Sequence, residues 1–329
     1  MVKKWLFGII KIGVSGALIV YLVQRTDLRE VWETVQAADW RILTAAFFLF
    51  YVGYAITASR WRVLLGALGK APRFWFLFRS FTVAVFFNNF LPSTVGGDAM
   101  RMYDSWRSGV SKTSSVAAVL MDRFMGLAAL LLFALCGLLL GAHGSFAESN
   151  LVLLVGAGAG LAFLMLLALM FLPDTVSSRF AGVMGLLPAR LAEGVNSIVV
   201  TLRSFAQRRQ ALVSALVLSI ALQTNVIVYH WLVAGAFGLD VPLQVFFLII
   251  PVAIAVMMLP ISINGIGVRE SIFVLLLGTQ GVSQEEGLAY AWLVYAFLLI
   301  QGLIGGVVFA VRSEGSAPSP GPANTADSG

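Results

Sequence analysis

Long apolar runs alternate with short polar or basic stretches along almost the whole chain. An α-helix rises about 1.5 Å per residue, so about 20 apolar residues cross a hydrocarbon core about 30 Å thick. Six runs reach or approach this length with few or no charges. The pattern therefore predicts six transmembrane helices, at residues 5–23, 42–65, 114–141, 151–172, 211–237 and 287–311.

Two further apolar runs, at residues 73–91 and 242–259, are interrupted. Each ends in a Leu-Pro pair, continues through glycines and resumes as a short helical segment, at residues 98–107 and 268–278. Proline ends a helix because it lacks a backbone N–H, and glycine permits turns that other residues resist. The short second arms reach only about 15 to 17 Å. We therefore predict two broken hairpins that return to the side they entered, with the depth of each turn left open.

The amino-acid composition indicates that the chain is surrounded by lipid rather than by water. The chain is 59% hydrophobic and 12% charged, with a mean hydropathy of +0.91. Soluble domains carry about 25% charged residues, so a soluble globular protein is excluded. The predicted fold class is an all-α polytopic membrane protein, with about six full transmembrane helices plus two broken re-entrant hairpins. A single integral membrane domain is expected over residues 1–312, and residues 313–329, rich in Gly, Ser, Pro and Ala, are expected to form a disordered tail.

The basic residues indicate an orientation. With the N-terminus inside and both hairpins returning, 15 basic residues lie on the cytoplasmic side and three, Arg25, Arg29 and Arg41, lie outside. If the first hairpin crossed once, 11 would lie outside, so the positive-inside rule favours the hairpin. We expect a multi-pass protein of the cell membrane, specifically a bacterial inner membrane, with cytoplasmic N- and C-termini. One cysteine and two distant histidines suggest no disulfide or metal cluster, and we expect no cofactor and no nucleic-acid partner.

The two breaks resemble each other. Pro92 and Pro260 each precede an arginine by nine residues, Arg101 and Arg269 respectively. Both halves, about residues 1–142 and 150–312, run helix, helix, broken hairpin, helix. Three crossings per half place the second half upside down relative to the first. Inverted repeats whose broken helices meet near the midplane are a recurrent transporter architecture.

Backbone chemistry points to an anion at each break. Unpaired backbone groups are costly in hydrocarbon, so a break persists only where protein or a water-filled cavity covers it. The helix that follows presents free N–H groups and a partial positive charge, which suit an anion, and an arginine lies about one turn further on. Together these features predict a phosphate site. The candidate substrate-binding residues are Asn88, Asn89, Pro92, Ser93, Gly96, Gly97, Arg101, Asp122, Arg123, Ser262, Asn264, Gly265, Gly267, Arg269 and Glu270.

Several of these residues also have structural interpretations. Asp122 and Arg123 lie inside an apolar helix, where charges are functional candidates, but Arg123 can instead reach the headgroups while Asp122 pairs locally. Asn88 and Asn89 either cap exposed backbone at the break or contact a headgroup. Asp98 is expected to cap a helix rather than act as a catalytic acid.

Arg101 and the candidate residues of the second half also have structural interpretations. Arg101 can be a simple interfacial anchor, and Arg269 can pair with Glu270, which is otherwise a candidate proton-coupling carboxylate. Gln223 and His230 lie seven residues apart on one helical face, so we expect an interhelical hydrogen-bond seam. His230 is also a possible proton relay.

The same residues carry a family resemblance. Residues 91–101 (LPSTVGGDAMR), the Asp122-Arg123 pair followed by Gly126, and residues 260–270 (PISINGIGVRE) resemble the lysylphosphatidylglycerol synthase transmembrane region, a flippase-like integral membrane protein family. The resemblance covers about residues 5–311, and the two breaks are its most specific part. It implies a lipid-handling protein; in bifunctional members this domain translocates aminoacylated phospholipid made by a separate soluble synthase domain. No such domain occurs within these residues, so aminoacyl transfer is not expected. Asp122 stands where the family pattern favours glutamate.

The expected function is lipid translocation. The substrate would be an anionic phospholipid or a polyprenyl-phosphate-type lipid, and the expected partner is a membrane lipid with an anionic headgroup. No enzymatic activity is expected. One alternative is an intramembrane enzyme acting on a lipid phosphate, although the candidate groups Ser93, Asp98, His230 and Glu270 show no recognised catalytic spacing. The other is a non-transporting membrane assembly partner.

Overall fold

The structure is a computed structural model that describes residues 20–22, 24–90, 96–141, 205, 208–258, 262 and 265–312, with side chains described up to residue 137 in the helix that ends at 141. These residues form nine α-helices and no β-strand, which confirms the predicted all-α class. The helices are α1 (Leu28–Ala37), α2 (Trp40–Ala67), α3 (Phe74–Phe90), α4 (Gly96–Arg107), α5 (Lys112–Gly141), α6 (Arg209–Ala236), α7 (Leu243–Met257), α8 (Val268–Gly278) and α9 (Gln284–Val311).

Four of these helices are long and apolar enough to cross a membrane, namely α2, α5, α6 and α9. They correspond to four of the six predicted spans, so the chain is a polytopic membrane protein. The predicted span at residues 151–172 and the tail at 313–329 lie outside the described residues, as does nearly all of the span at 5–23. The hydropathy pattern does not predict α1, which begins after Asp27, whose side chain accepts a hydrogen bond from the Arg29 N–H at 2.8 Å.

Contacts at the helix ends define two sides of the bundle. The Asp39 N–H at the start of α2 donates to the Ala236 carbonyl at the end of α6, so these two helices are antiparallel. Arg312, directly after α9, pairs with Asp104 near the end of α4 at 2.9 Å. We call the side where α2, α4 and α9 end and where α5 and α6 begin the basic side. It holds Arg62, Lys70, Arg73, Arg107, Lys112, Arg208, Arg209 and Arg312.

The hairpins pack in a reciprocal manner. Within each hairpin the arms contact each other, α3 with α4 and α7 with α8, and the first arm also packs on the last helix of the other half, α3 on α9 and α7 on α5. The equivalent helices α2 and α6 pack on each other at the centre. Glycines permit the close crossings: a Cβ on Gly305 would collide with the Thr82 carbonyl, and one on Gly137 with the Phe247 backbone. The two hairpins therefore make equivalent contacts within the described residues, and the inverted repeat stays a prediction.

The first hairpin reverses at about mid-height of the bundle. The Asn89 amide at the end of α3 donates to the Leu298 carbonyl at 2.8 Å, and Leu298 lies midway along α9. Two apolar cores flank this level. One packs the opposite-side halves of α2, α6, α7 and α9, and the other packs the basic-side halves of α2, α5 and α6. The polar residues described next lie between these two cores.

Candidate functional site

A cavity of about 350 Å³ lies at the middle of α2 and α6, against the apolar core of the opposite-side halves. Helices α3, α7, α8 and α9 complete its wall, so both hairpins contribute to it. Most of the lining is apolar. The lining residues are Leu49, Phe50, Gly53, Tyr54, Thr57, Phe81, Leu222, Gln223, Asn225, Val226, Tyr229, His230, Met257, Arg269, Phe273, Val294 and Leu298.

Three polar atoms in this lining lack a hydrogen-bond partner within the described part of the chain. They are the hydroxyls of Tyr54 and Tyr229 and the amide nitrogen of Gln223. The three side chains are buried, with 6%, 5% and 8% of their surface exposed. Buried polar groups in folded proteins are almost always hydrogen-bonded, so three such atoms around one cavity indicate a site for a polar ligand.

Arg269 supplies the positive charge of the cavity. It lies on the first turn of α8, and its guanidinium carbon is 4.4 Å from the centre of the Tyr295 ring on α9. The face of an aromatic ring attracts a cation. The cavity therefore combines a buried guanidinium with hydrogen-bond donors, which is the chemistry that binds phosphate.

The second break holds Arg269 in place. Gly265 and Gly267 have positive φ angles of 77° and 82°, which favour glycine, so these two residues shape the turn before α8. The Gly267 N–H donates to Glu270 Oε2 at 2.7 Å, and the Arg269 N–H donates to the Gly265 carbonyl at 2.7 Å. The Glu270 carboxylate thus caps α8. Ser262 is half-buried, and the predicted residue Asn264 lies outside the described residues.

Arg101, the equivalent residue of the first hairpin, does not line the cavity. Its Nη1 lies 3.0 Å from Asp122 Oδ2, and its guanidinium lies 4.6 Å from the centre of the Trp61 ring. The other Asp122 oxygen binds Arg60 Nε at 2.5 Å, and Arg60 Nη1 donates to the Ser219 hydroxyl at 2.7 Å. This network of Arg60, Arg101, Asp122 and Ser219 is 1% to 4% exposed and joins α2, α4, α5 and α6. We call it the arginine-aspartate network.

A second ion pair borders this network. Arg123 donates two hydrogen bonds to Asp98, both 2.9 Å long, and the Arg123 side chain is 56% exposed. Arg123 thus pairs with Asp98, and Asp122 pairs across the bundle rather than locally. Asp98 was expected to cap α4. In the structure both of its carboxylate oxygens accept hydrogen bonds from Arg123.

The asparagines make structural contacts. Asn88 Oδ1 accepts a hydrogen bond from the Gly97 N–H at 2.9 Å, so Asn88 caps the start of α4. Gly97 lies so close to α3 that a Cβ would collide with the Ala84 carbonyl, and Gly96 beside it is half-buried. The predicted residues Pro92 and Ser93 lie outside the described residues. Asn88 therefore caps exposed backbone at the break, which is one of the two roles expected for it.

Of the two residues in the predicted hydrogen-bond seam on α6, one forms an interhelical hydrogen bond and the other does not. His230 Nδ1 lies 2.6 Å from the Tyr290 hydroxyl on α9, which confirms an interhelical hydrogen bond. The Gln223 amide nitrogen lines the cavity instead. Sequence reasoning missed Arg60, which it counted among cytoplasmic charges although Arg60 lies inside the predicted span at 42–65. The same criterion that selected Arg123, a charge within an apolar run, would have selected Arg60 as well.

The helices and the cavity define a polytopic membrane protein with a buried polar site. The sequence matches the family described as the lysylphosphatidylglycerol synthase TM region over residues 8–306, so the chain belongs to this family. A UPF0104 membrane protein from Archaeoglobus fulgidus is 27% identical over 116 residues, which are 35% of this chain and 35% of that relative. The aligned region thus spans about a third of that protein's length. No solved structure matches the chain.

Proposed function

We propose that the protein moves an anionic lipid, a phospholipid or a polyprenyl-phosphate-type lipid, between the two leaflets of the cell membrane. The observation that carries the proposal is the cavity at mid-height. Arg269 lines this cavity together with three buried polar groups that have no hydrogen-bond partner among the described residues. A buried cation inside a membrane protein is costly and is a functional candidate by default. A lipid phosphate is the membrane component that supplies both the opposite charge and hydrogen-bond acceptors. Membership of a family associated with lipid synthesis supports this substrate class.

The two hairpins supply a route for alternating access. Because α3 packs on α9 and α7 packs on α5, a movement of either hairpin changes the contacts of both halves. In the present conformation Arg269 lines the cavity and Asp122 holds Arg101. In the proposed cycle a second conformation releases Arg101, and the headgroup passes from one arginine to the other while the acyl chains stay in lipid. The basic side would face the cytoplasm, as the positive-inside rule expects.

The test is a transport assay on the full chain in liposomes. A chain-labelled fluorescent phosphatidylglycerol is included in both leaflets, and dithionite, which does not cross the membrane, quenches the outer label. Loss of a charge-assisted hydrogen bond weakens an interaction by about 1.5 to 3 kcal/mol, so Arg269→Ala is expected to lower the transfer rate about 10-fold to 100-fold. Arg29→Ala is the matched control because the Arg29 side chain is 86% exposed on α1, and its rate is expected to equal the wild-type rate.

Two results would refute the proposal: no protein-dependent transfer of any anionic lipid tested, or equal rates for the wild type and Arg269→Ala. Release of inorganic phosphate from the same lipids by the purified protein would favour an intramembrane enzyme instead. The third possibility is an assembly partner. It would be favoured if replacing the break residues left the phenotype of the cell unchanged and altering the surface helices changed it.

A further inference from the structure

One edge of the Arg101 guanidinium is open. Its Nη1 lies 3.0 Å from Asp122 Oδ2 and 3.7 Å from Asp98 Oδ1. Its Nε and Nη2 are buried, and neither has a hydrogen-bond partner among the described residues. Arg101 is only 2% exposed, so bulk water does not supply these two nitrogens with acceptors. Buried donors of a charged group are costly to leave unpaired, so two of them on one edge indicate the position of a ligand.

Arg123 shows how the same edge binds an anion. Its Nε and Nη2 donate to the two carboxylate oxygens of Asp98, both at 2.9 Å. This is the bidentate geometry in which arginine binds a carboxylate or a phosphate. The open edge of Arg101 consists of the same pair of donors. Asp98 does not occupy that edge, because both of its oxygens accept from Arg123 and its contact with Arg101 is to Nη1.

The charge around the open edge also favours an anion. Ion pairs join three arginines to two aspartates here, so the group carries a net charge of one positive; its members are Arg60, Arg101, Arg123, Asp98 and Asp122. Trp61 adds a further donor. The Arg101 guanidinium carbon lies 4.6 Å from the centre of the Trp61 ring, and the indole N–H has no partner within the described part of the chain. An anion at this position would balance the charge and accept these hydrogen bonds.

The open edge lies beside the cavity, on its basic side. The Phe81 ring lines the cavity, and the centre of that ring is 5.4 Å from the Arg101 guanidinium carbon. Along α2, Arg60 of the arginine-aspartate network follows the lining residue Thr57 by three positions, toward the basic side. The network is therefore about one helical turn away from the cavity. A group that leaves the cavity toward the basic side passes Arg101.

We propose that the Nε–Nη2 edge of Arg101 is a second phosphate subsite, which binds two phosphate oxygens while Asp122 still holds Nη1. Asp122 positions the guanidinium, and the Phe81 ring separates the subsite from the cavity. In the proposed cycle the headgroup thus reaches Arg101 before Asp122 releases it, so the arginine keeps a counterion throughout. The inference rests on the proposed function for the source of the phosphate, a lipid headgroup, whereas a soluble phosphate has the same chemistry.

The first experiment observes the open edge directly. The full chain carries isotope-labelled arginine and is studied by NMR in detergent, with Arg101→Lys or Arg101→Met assigning the Arg101 Nε–H signal. Short-chain phosphatidic acid is expected to move this signal downfield, because a charge-assisted hydrogen bond forms. Diacylglycerol with the same tails has no phosphate and is expected to leave the signal in place. The Arg60 Nε–H signal is the internal control, since Asp122 already accepts from that group.

The second experiment removes the edge and keeps the charge. Arg101→Lys retains a cation that faces Asp122 but has no bidentate pair of donors. Loss of one charge-assisted hydrogen bond is expected to slow phosphatidylglycerol transfer in the liposome assay about 10-fold to 100-fold. Arg29→Lys is the matched control, because it makes the same substitution on an exposed side chain of α1, and its rate is expected to equal the wild-type rate. The unfolding midpoint of each variant is measured without lipid, which separates lost folding from lost binding.

The outcomes separate this inference from the proposed function. An Arg101 signal that no phosphate moves, equal movement of the Arg60 and Arg101 signals, or equal transfer by the wild type and Arg101→Lys overturns the subsite and leaves translocation standing. Transfer of no lipid overturns translocation, and the Arg101 signal then decides the subsite by itself. Inorganic phosphate is tested alone in the same NMR experiment. If it moves the Arg101 signal and phosphatidic acid does not, the subsite binds a soluble phosphate and the lipid source is overturned.

Discussion

Replacing Asp122 with asparagine removes the carboxylate that Arg60 and Arg101 share. Both arginines are buried, with 4% and 2% of their surface exposed, and their nitrogens lie 2.5 Å and 3.0 Å from the two Asp122 oxygens. Asparagine keeps the shape and one acceptor oxygen, but it leaves two like charges side by side in the bundle. We expect Asp122→Asn to destabilise the protein more than the loss of either arginine, because removing one arginine leaves a neutral pair.

The magnitude follows from the geometry. Each attraction is on the order of 5 kcal/mol before desolvation at an effective dielectric constant of about 20. Desolvation offsets much of this attraction in the native protein, but the penalty of the two buried arginines persists when their counterion is removed. Breaking buried pairs in this way costs about 3 to 5 kcal/mol. Asp98, 3.7 Å from Arg101, moderates the loss, so we expect a value near the lower end of this range.

The measurement is reversible unfolding of the purified protein in mixed micelles, followed by circular dichroism as the fraction of denaturing detergent rises. Glu33→Gln is the control, because it removes a carboxylate from the exposed pair that Glu33 forms with Arg29 on α1. Exposed pairs contribute about 0 to 1 kcal/mol. Arg101→Met completes the comparison and is expected to lose less stability than Asp122→Asn. The reasoning fails if Asp122→Asn loses no more stability than Glu33→Gln, or if Arg101→Met loses more stability than Asp122→Asn.

Two further predictions concern packing and hydrogen bonding. Gly305→Ala forces α9 away from the Thr82 carbonyl on α3, and it is expected to lower the free energy of unfolding by about 1 to 3 kcal/mol in the same assay. Gly235→Ala is the control, because the space around its Cβ position is open, and it is expected to be neutral or slightly stabilising. Equal effects of the two substitutions would contradict the close crossing of α3 and α9. Tyr290→Phe removes the hydroxyl 2.6 Å from His230 Nδ1 and is expected to cost about 1 to 3 kcal/mol, because it leaves a buried polar atom without a partner; unchanged stability would show that this hydrogen bond is dispensable.

The long helices and the breaks were predictable because they follow from local rules. Bilayer thickness sets the length of an apolar span, and the predicted spans at 42–65 and 287–311 match α2 and α9 closely. A proline followed closely by glycines disfavours the continuation of a helix, so the interruptions before α4 and α8 could be read directly, whereas the isolated Pro251 lies inside α7. Arg269 was selected because it follows Pro260 by nine residues, as Arg101 follows Pro92, and the structure places Arg269 in the lining of the cavity.

The partners of these residues were not predictable in the same way. Arg60 meets Asp122 across 62 positions of sequence and Ser219 across 159, and no periodicity links them. Arg60 lies near the end of a predicted span, where an arginine is typical of an interface. In the sequence, Tyr54 and Tyr229 are ordinary aromatic residues of apolar helices. Nothing near them along the chain indicates that their hydroxyls have no hydrogen-bond partner among the described residues.

The sequence by itself determined that this chain is a membrane protein and which family it belongs to. It also determined the positions of the long helices and of the two interruptions. These properties depend on hydrophobicity, helix-breaking residues and motifs, all of which are local along the chain. Only the tertiary structure decided how the two equivalent arginines differ. Arg101 faces a carboxylate on α5, whereas Arg269 faces a tyrosine ring on α9 and lines a cavity. The charge that each arginine presents depends on its neighbours in space, and helix packing alone determines those neighbours.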